Sequence, residues 1–485
     1  LSRQTFMRTV IFALLLLTSS LLVAQQSDTL TVAGMEKDFD LLRQSLEEVH
    51  GGLYRFADKQ TTDARFNRHR KKIASMRSRR EFTQLLAKVL ADTRDGHMRL
   101  IMDEQILSDF GKAMLFPFSI LIEDNRMVVR YNETKDDSTI KPGYEIVKIN
   151  GEKASDLLTR MYAGLPGDGY IETGKRKRLE QSFGAFYWLL IDTAGKFNIT
   201  IKDLTGKVID QRIAGVLNSE LEENRNSNRV NAVIAAAISS LSGSSDNILL
   251  QFPKPGVAYL RVRGFQGDDF YQQIDSVFKT VDDKKASSLI LDLRGNGGGT
   301  DMYGAYLVAQ FVNKPFRYFD RIHLRSIKPS FTNFKEQTLQ ELREGTVADP
   351  AGGYLATAVL HPGVGEQQPG SFPFTGKTFV LTDGGTFSTA ADVAALLRQL
   401  TGAVFIGEET GGGFEGNTSG LNAELVLPNS KLKVRMYMYE YWNAVEVKKR
   451  GRGTVPDLFT PLRVVDMVKG VDRPLEVALE MAGKE

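Results

Sequence analysis

The residues of this chain whose types and spacing could do chemistry are a serine at a glycine-bearing turn, a second glycine-rich loop and five histidines. Ser388 lies in the stretch Leu381-Thr382-Asp383-Gly384-Gly385-Thr386-Phe387-Ser388-Thr389-Ala390-Ala391-Asp392. The apolar run Thr378-Phe379-Val380-Leu381 before it predicts a buried strand, and Val393, Leu396, Leu397 and Leu400 after it stand at helix spacing. Ser388 therefore falls where a turn feeds a helix N-terminus, whose first backbone N–H groups have no intrahelical partner. Such groups, aimed the same way as a hydroxyl, suit a developing oxyanion beside a nucleophile. The alternative is a serine or threonine that simply caps the helix.

The second loop is Leu289-Ile290-Leu291-Asp292-Leu293-Arg294-Gly295-Asn296-Gly297-Gly298-Gly299-Thr300-Asp301. Its apolar run is continuous rather than alternating, as in a parallel strand covered on both faces. The glycines let backbone approach a ligand closely. A phosphate loop is disfavoured, because the lysine-serine/threonine ending of the P-loop and a GxGxxG spacing are both missing.

Together the two loops resemble those of the tail-specific (C-terminal processing) protease superfamily, which includes the tricorn core. The Asp292-Leu293-Arg294-Gly295-Asn296-Gly297-Gly298-Gly299 turn resembles the family's oxyanion-side loop, and Gly384-Gly385-Thr386-Phe387-Ser388 its nucleophile turn. Ile406-Gly407-Glu408-Glu409-Thr410-Gly411-Gly412 and Gly453-Thr454-Val455-Pro456-Asp457 are further matches, and Asp95-Gly96-His97 resembles a motif of the tricorn-like branch. The motifs run in the family's order from about residue 35 to 465.

A serine hydroxyl is a poor nucleophile until a base takes its proton. Many members of the family use a lysine about 25 residues after the serine, but Gly413 stands at that position here. The resemblance to the tricorn-like branch gives the base to His97 instead, and histidine suits the role because it titrates near neutrality. In that branch a serine precedes the histidine, where this chain has Gly96, and a late glutamate orients the pair. Glu446 is the expected orienting residue and Glu440 its rival. Backbone N–H groups of Gly298 or Gly297, and of Thr389, are the expected oxyanion donors. Asp292 and Arg294 are expected to hold their loop, and His50 to end a helix.

The bulk composition fits this picture. The 485 residues suffice for two to four domains. A net charge of +3 argues for neither nucleic acid nor a membrane surface as partner. With no cysteine, disulfides, thiol catalysis and cysteine-ligated zinc are excluded, as is lipid attachment through cysteine. Residues 1–24 read as a secretory signal peptide: Arg3 and Arg8 precede an apolar run that is too short for a membrane span.

The expected organisation is multidomain α/β: a helical N-terminal domain at 25–110, a PDZ-like β-rich domain at 111–210, a connector at 211–250 and a serine protease core of the ClpP/crotonase-like α/β type at 251–485. The PDZ resemblance rests on Ile140-Lys141-Pro142-Gly143-Tyr144-Glu145-Ile146-Val147-Lys148-Ile149-Asn150-Gly151. Such a domain implies either capture of peptide C-termini by strand addition or a closed groove. Residues 160–190 read as an insertion in that domain, 326–372 as a surface excursion or lid, and the basic run 68–80 as a solvated helix face.

The resemblance implies a serine endopeptidase without metal or organic cofactor, acting on polypeptides that an open PDZ-like groove would hold by their C-termini, and the signal peptide implies a periplasmic or secreted location. Two alternatives stay open. One is a catalytically inactive peptide- or ligand-binding scaffold of the same fold, and the other an esterase or amidase on small substrates. The lack of a GxSxG elbow counts against the α/β-hydrolase version of the latter.

Overall fold

The computed structural model describes residues 30–234 and 246–483. The expected signal peptide at 1–24 and part of the connector lie outside the described residues. The architecture is multidomain α/β, as expected, and is organised around three six-stranded sheets.

The core sheet runs in the order Ile248–Lys254, Val257–Val262, Ser288–Asp292, Lys377–Thr382, Val404–Gly407 and Leu458–Phe459. Its first pair is antiparallel and the others are parallel. All five residues of Ser288–Asp292 are buried, which is why that run is apolar without alternation. Ser288–Asp292 and Lys377–Thr382 are neighbours, with Leu291 opposite Val380 and Asp292 opposite Leu381. Two parallel neighbours deliver their following loops to the same sheet end, so the two glycine-rich loops meet. Thr386 Oγ1 donates to Leu293 O (2.9 Å), the Phe387 N–H to Asn296 O (3.0 Å) and the Gly295 N–H to Asp383 Oδ1 (2.8 Å).

A second sheet ties the N-terminal region to the core. The short strand Arg99–Ile101 pairs antiparallel with Lys433–Asn443, setting Arg99 opposite Arg435. The helices Val32–Val49, Lys59–Lys72 and Arg79–Asp92 are capped by the side chains of Thr31, Asp58 and Ser78. Their apolar faces, with Phe39, Leu42, Phe82 and Leu86, share one hydrophobic cluster with Leu425, Val434, Met436 and Met438 of the strands Thr418–Val426 and Lys433–Asn443. In the basic run, Arg70 binds Asp40 through two bonds of 2.8 and 2.9 Å, and Arg79 binds Asp103 at 2.7 Å. Residues 326–372 are not a free excursion. They hold the helix Glu336–Gly345 and the strands Thr346–Ala348 and Tyr354–Ala356, which extend this second sheet.

The third sheet orders Phe118–Glu123, Arg126–Asn132, Glu145–Ile149, Lys196–Lys202 and Val208–Ala214. The turn after Glu145–Ile149 needs positive φ at Asn150 (51°) and Gly151 (84°), which explains the Asn-Gly pair. The insertion at 160–190 forms the helices Thr173–Gln181 and Phe183–Leu190. They cover the outer edge of Phe118–Glu123: the Ile122 N–H donates to Glu180 Oε1 (2.8 Å), and a Cβ on Gly184 would lie 3.0 Å from Phe116 O. Among the described residues no helix is long and apolar enough to cross a membrane.

Candidate active site

Ser388 sits at the N-cap position of the helix Thr389–Leu400, yet its side chain makes no capping hydrogen bond. The backbone explains this. Ser388 has φ 55° and ψ −132°, a conformation that L-residues rarely adopt and that lifts the hydroxyl off the helix end. The hydroxyl instead lies 3.1 Å from His97 Nε2, across 291 residues of sequence. His97 stands two residues before the strand Arg99–Ile101, so the pairing of that strand with Lys433–Asn443 is what carries the ring to Ser388. The Phe387 ring packs against the imidazole at 4.6 Å between centroids, tilted by 34°, and Tyr437 meets it edge-on at 5.6 Å.

Asp95 is the group at the other ring nitrogen. Its Oδ1 lies 3.7 Å from His97 Nδ1 and accepts the His97 backbone N–H at 2.7 Å. His50 Nε2 donates to its Oδ2 at 2.9 Å. Burial works against the charge of Asp95, but the bonds from His50 and His97 outweigh it and hold the carboxyl well below the usual carboxylate range. At 3.7 Å the approach of Asp95 to Nδ1 is a charge contact and not a hydrogen bond, but a negative charge on that side favours the tautomer with the proton on Nδ1, leaving Nε2 to accept from the serine O–H.

A second carboxylate, Asp168, is also buried beside His97 and accepts the N–H groups of Gly96 (2.7 Å) and Gly413 (3.3 Å). Burial pushes its carboxyl above the usual range despite the imidazole and the two N–H bonds. The environment thus drives two neighbouring carboxyls in opposite directions, which separates their roles. Asp95, His97 and Asp168 bring ligating atoms within 4.8 Å of one another. Both Asp95 oxygens and both Asp168 oxygens accept protein N–H groups, whereas His97 Nδ1 is buried with no hydrogen-bond partner.

Of the expected orienting residues, Glu446 does not reach the pair. It is exposed, and its N–H donates to Gln399 Oε1 at 3.1 Å. Glu440 lies in a different cluster, 3.6 Å from His323 Nδ1 and 4.0 Å from Arg55 Nε. His50 ends the helix Val32–Val49 as expected, with its N–H on Leu46 O, and is also Asp95's partner. Arg294 donates to both Asp292 and Asp472, holding the loop.

Among the expected oxyanion donors, the Gly298 N–H is committed. It donates to Asn296 Oδ1 at 2.9 Å, and Asn296 is anchored in turn by its Nδ2 on Val262 O. Gly298 supplies space instead: at φ 100°, a Cβ there would lie 2.7 Å from Ser388 Cβ and 3.0 Å from Thr389 N. Among the described residues the N–H groups of Gly297 and Thr389 have no hydrogen-bond partner. Of the three expected donors, these two are therefore the uncommitted ones.

The departures at Gly96 and Gly413 have steric causes. A Cβ on Gly96 would lie 2.8 Å from two Phe387 ring atoms and 2.9 Å from Asp168 Oδ1. A Cβ on Gly413 would lie 2.5 Å from Gly416 O. Asp95 was legible two residues before His97. Nothing local marks Asp168, in the Gly-Leu-Pro-Gly-Asp-Gly turn, as a neighbour of His97.

The class the fold defines is an α/β protein whose parallel core sheet brings a strained serine to a loop junction, where a histidine from the second sheet meets it. Residues 256–459, which hold both glycine-rich loops, match peptidase family S41, and this match supports a peptidase of the tail-specific protease superfamily. No curated protein matches the sequence. Among solved structures, mature CPAF complexed with lactacystin aligns with TM-score 0.65 at 14% identity, covering 93% of this chain and 98% of that one. Mature CPAF alone aligns with TM-score 0.64 at 13% identity over 93% and 96%. At such identities the likeness is one of fold.

Proposed function

We propose that the protein is a serine endopeptidase in which Ser388 is the nucleophile and His97 the general base. The observation that carries this is the 3.1 Å contact between His97 Nε2 and Ser388 Oγ. On attack at a peptide carbonyl, His97 takes the hydroxyl proton and later returns one to the leaving amine. Asp95 stabilises the imidazolium, and the N–H groups of Gly297 and Thr389 receive the carbonyl oxygen as it becomes negative. The reading of residues 1–24 as a signal peptide places this activity outside the cytoplasm.

The substrate is a polypeptide cut within its chain. Capture of tails by strand addition on the PDZ-like sheet is disfavoured, because the helices Thr173–Gln181 and Phe183–Leu190 already lie on the outer edge of Phe118–Glu123. Peptides with free and with amidated C-termini are expected to be cut with equal kcat/KM. A several-fold preference for the free tail would reopen strand addition.

The central test is kinetic. Ser388→Ala and His97→Ala are each expected to lower kcat by roughly 10³-fold or more with the fold intact, and the double variant to be no worse than either alone, as for residues acting as a unit. A serine-reactive fluorophosphonate should label the wild type at Ser388. Full turnover in either variant would overturn the assignment of that residue, and an inactive, unlabelled wild type would hand the site to the binding-scaffold alternative.

A further inference from the structure

Between the Phe118–Glu123 sheet and the core sheet lies a cavity of about 260 Å³. None of Ser388, His97, Asp95 or Asp168 lines it, but it reaches both catalytic loops through Gly295 and Asp383. Six cationic side chains line it, and four have carboxylate partners. Arg176 binds Glu408 at 2.7 Å, Lys177 binds Asp383 at 3.0 Å, Arg294 binds Asp472 at 2.7 Å and Arg463 binds Asp124 at 3.1 Å.

Arg130 and Arg261 are left over. Among the described residues neither has an ion pair or a side-chain hydrogen bond, and the Nε of each is buried with no partner. Arg130 rests on the Tyr131 ring at 5.1 Å, a contact that leaves its N–H donors unmatched. The remaining acids of the cavity do not answer them. Glu180 accepts the Ile122 N–H and Glu123 the Val464 N–H, and burial pushes both carboxyls above the usual range. Asp292, opposite Arg261 in the sheet, feels its charge, but both its oxygens are taken by Arg294 and Tyr259 and neither bonds Arg261. A buried donor with no acceptor costs free energy, and an arginine fork is matched best by a planar carboxylate or a phosphate. The rest of the wall is apolar, with Leu121, Leu462 and Met467.

We propose that this cavity binds a small organic anion, its carboxylate or phosphate head taken by Arg130 and Arg261 and its apolar body lying on Leu121, Leu462 and Met467. Through Gly295 and Asp383 the bound anion touches the loops that carry the oxyanion donors and the nucleophile, so the site is placed to bias their arrangement.

Calorimetric titration of the full chain carrying Ser388→Ala tests this without turnover, with hexanoate, hexyl phosphate and neutral hexanol as ligands. At least one anion is expected to bind at one per chain, hexanol not at all, and affinity to fall as salt rises. Tighter binding of hexanoate assigns a carboxylate head, and of hexyl phosphate a phosphate head. Arg130→Gln and Arg261→Gln should each weaken binding at least tenfold. If either variant fails to fold by circular dichroism, Arg→Lys at that position, which keeps the charge and loses the fork, should also weaken binding. Absence of binding by both anions, equal binding of hexanol, or affinity unchanged in the arginine variants overturns the proposal.

Discussion

Asp95 meets three groups at once: the His50 ring, the His97 backbone N–H and, at 3.7 Å, His97 Nδ1. In the proposed mechanism it is a positioning residue for the base. Asp95→Asn removes the charge that favours the reactive tautomer, and kcat is expected to fall by roughly 10²-fold or more with a smaller change in KM. Stability gives a second readout. The Asp95 carboxyl is held below its ordinary value of 3.8, so the folded chain binds this proton less readily than the unfolded one. Its contribution is fully present above pH 3.8 and is lost as pH falls through the lower folded value. The stability gap between wild type and Asp95→Asn should accordingly narrow in acid, as urea melts at successive pH values would show. A gap that widens in acid would contradict the assignment.

At the scale of elements, the site is built by turns that press on one another with no room for side chains. The N–H groups of Gly411 and Gly412 donate to Thr386 O, and a Cβ on Gly412 would lie 3.1 Å from Ser388 N. Thr410 Oγ1 accepts the Thr454 N–H, which locks the closing Gly-Thr-Val-Pro-Asp segment onto the same turn. A lysine dyad cannot be restored by substitution in such packing. Gly413→Lys builds a Cβ 2.5 Å from Gly416 O and disturbs the N–H that Asp168 accepts. It is expected to leave His97→Ala inactive and to lower the thermal midpoint of an otherwise wild-type chain. Recovery of hydrolysis in the double variant would show that the turn can re-aim.

At the scale of the whole molecule, the N-terminal helices and the strands Thr418–Val426 and Lys433–Asn443 share one hydrophobic cluster, and they are expected to unfold together. Phe82 and Leu86 are fully buried in a cluster that also holds Leu425, Met436 and Met438. Leu86→Ala, more than 290 residues from Ser388 in sequence, should cost about 2–5 kcal/mol. Because His97 is delivered by the strand that follows this helical region, activity and the thermal transition should be lost together on heating. Two separate transitions, with activity following only the second, would show that the regions are uncoupled.

Much of the core was readable because its signals are local. Continuous apolar runs flanked by glycine turns gave the parallel strands, helical periodicity placed Ser388 at a helix start, and the ordered motifs gave the family. What the sequence could not show depends on chain segments far apart meeting. The choice of Asp95 over Glu446 at His97, the arrival of Asp168, the commitment of the Gly298 N–H to Asn296 and the covering of Phe118–Glu123 by the inserted helices are such cases. Residue type says what a carboxylate or an N–H can do. Which partner satisfies it is decided by distance and burial, and those exist only once the sheets have packed.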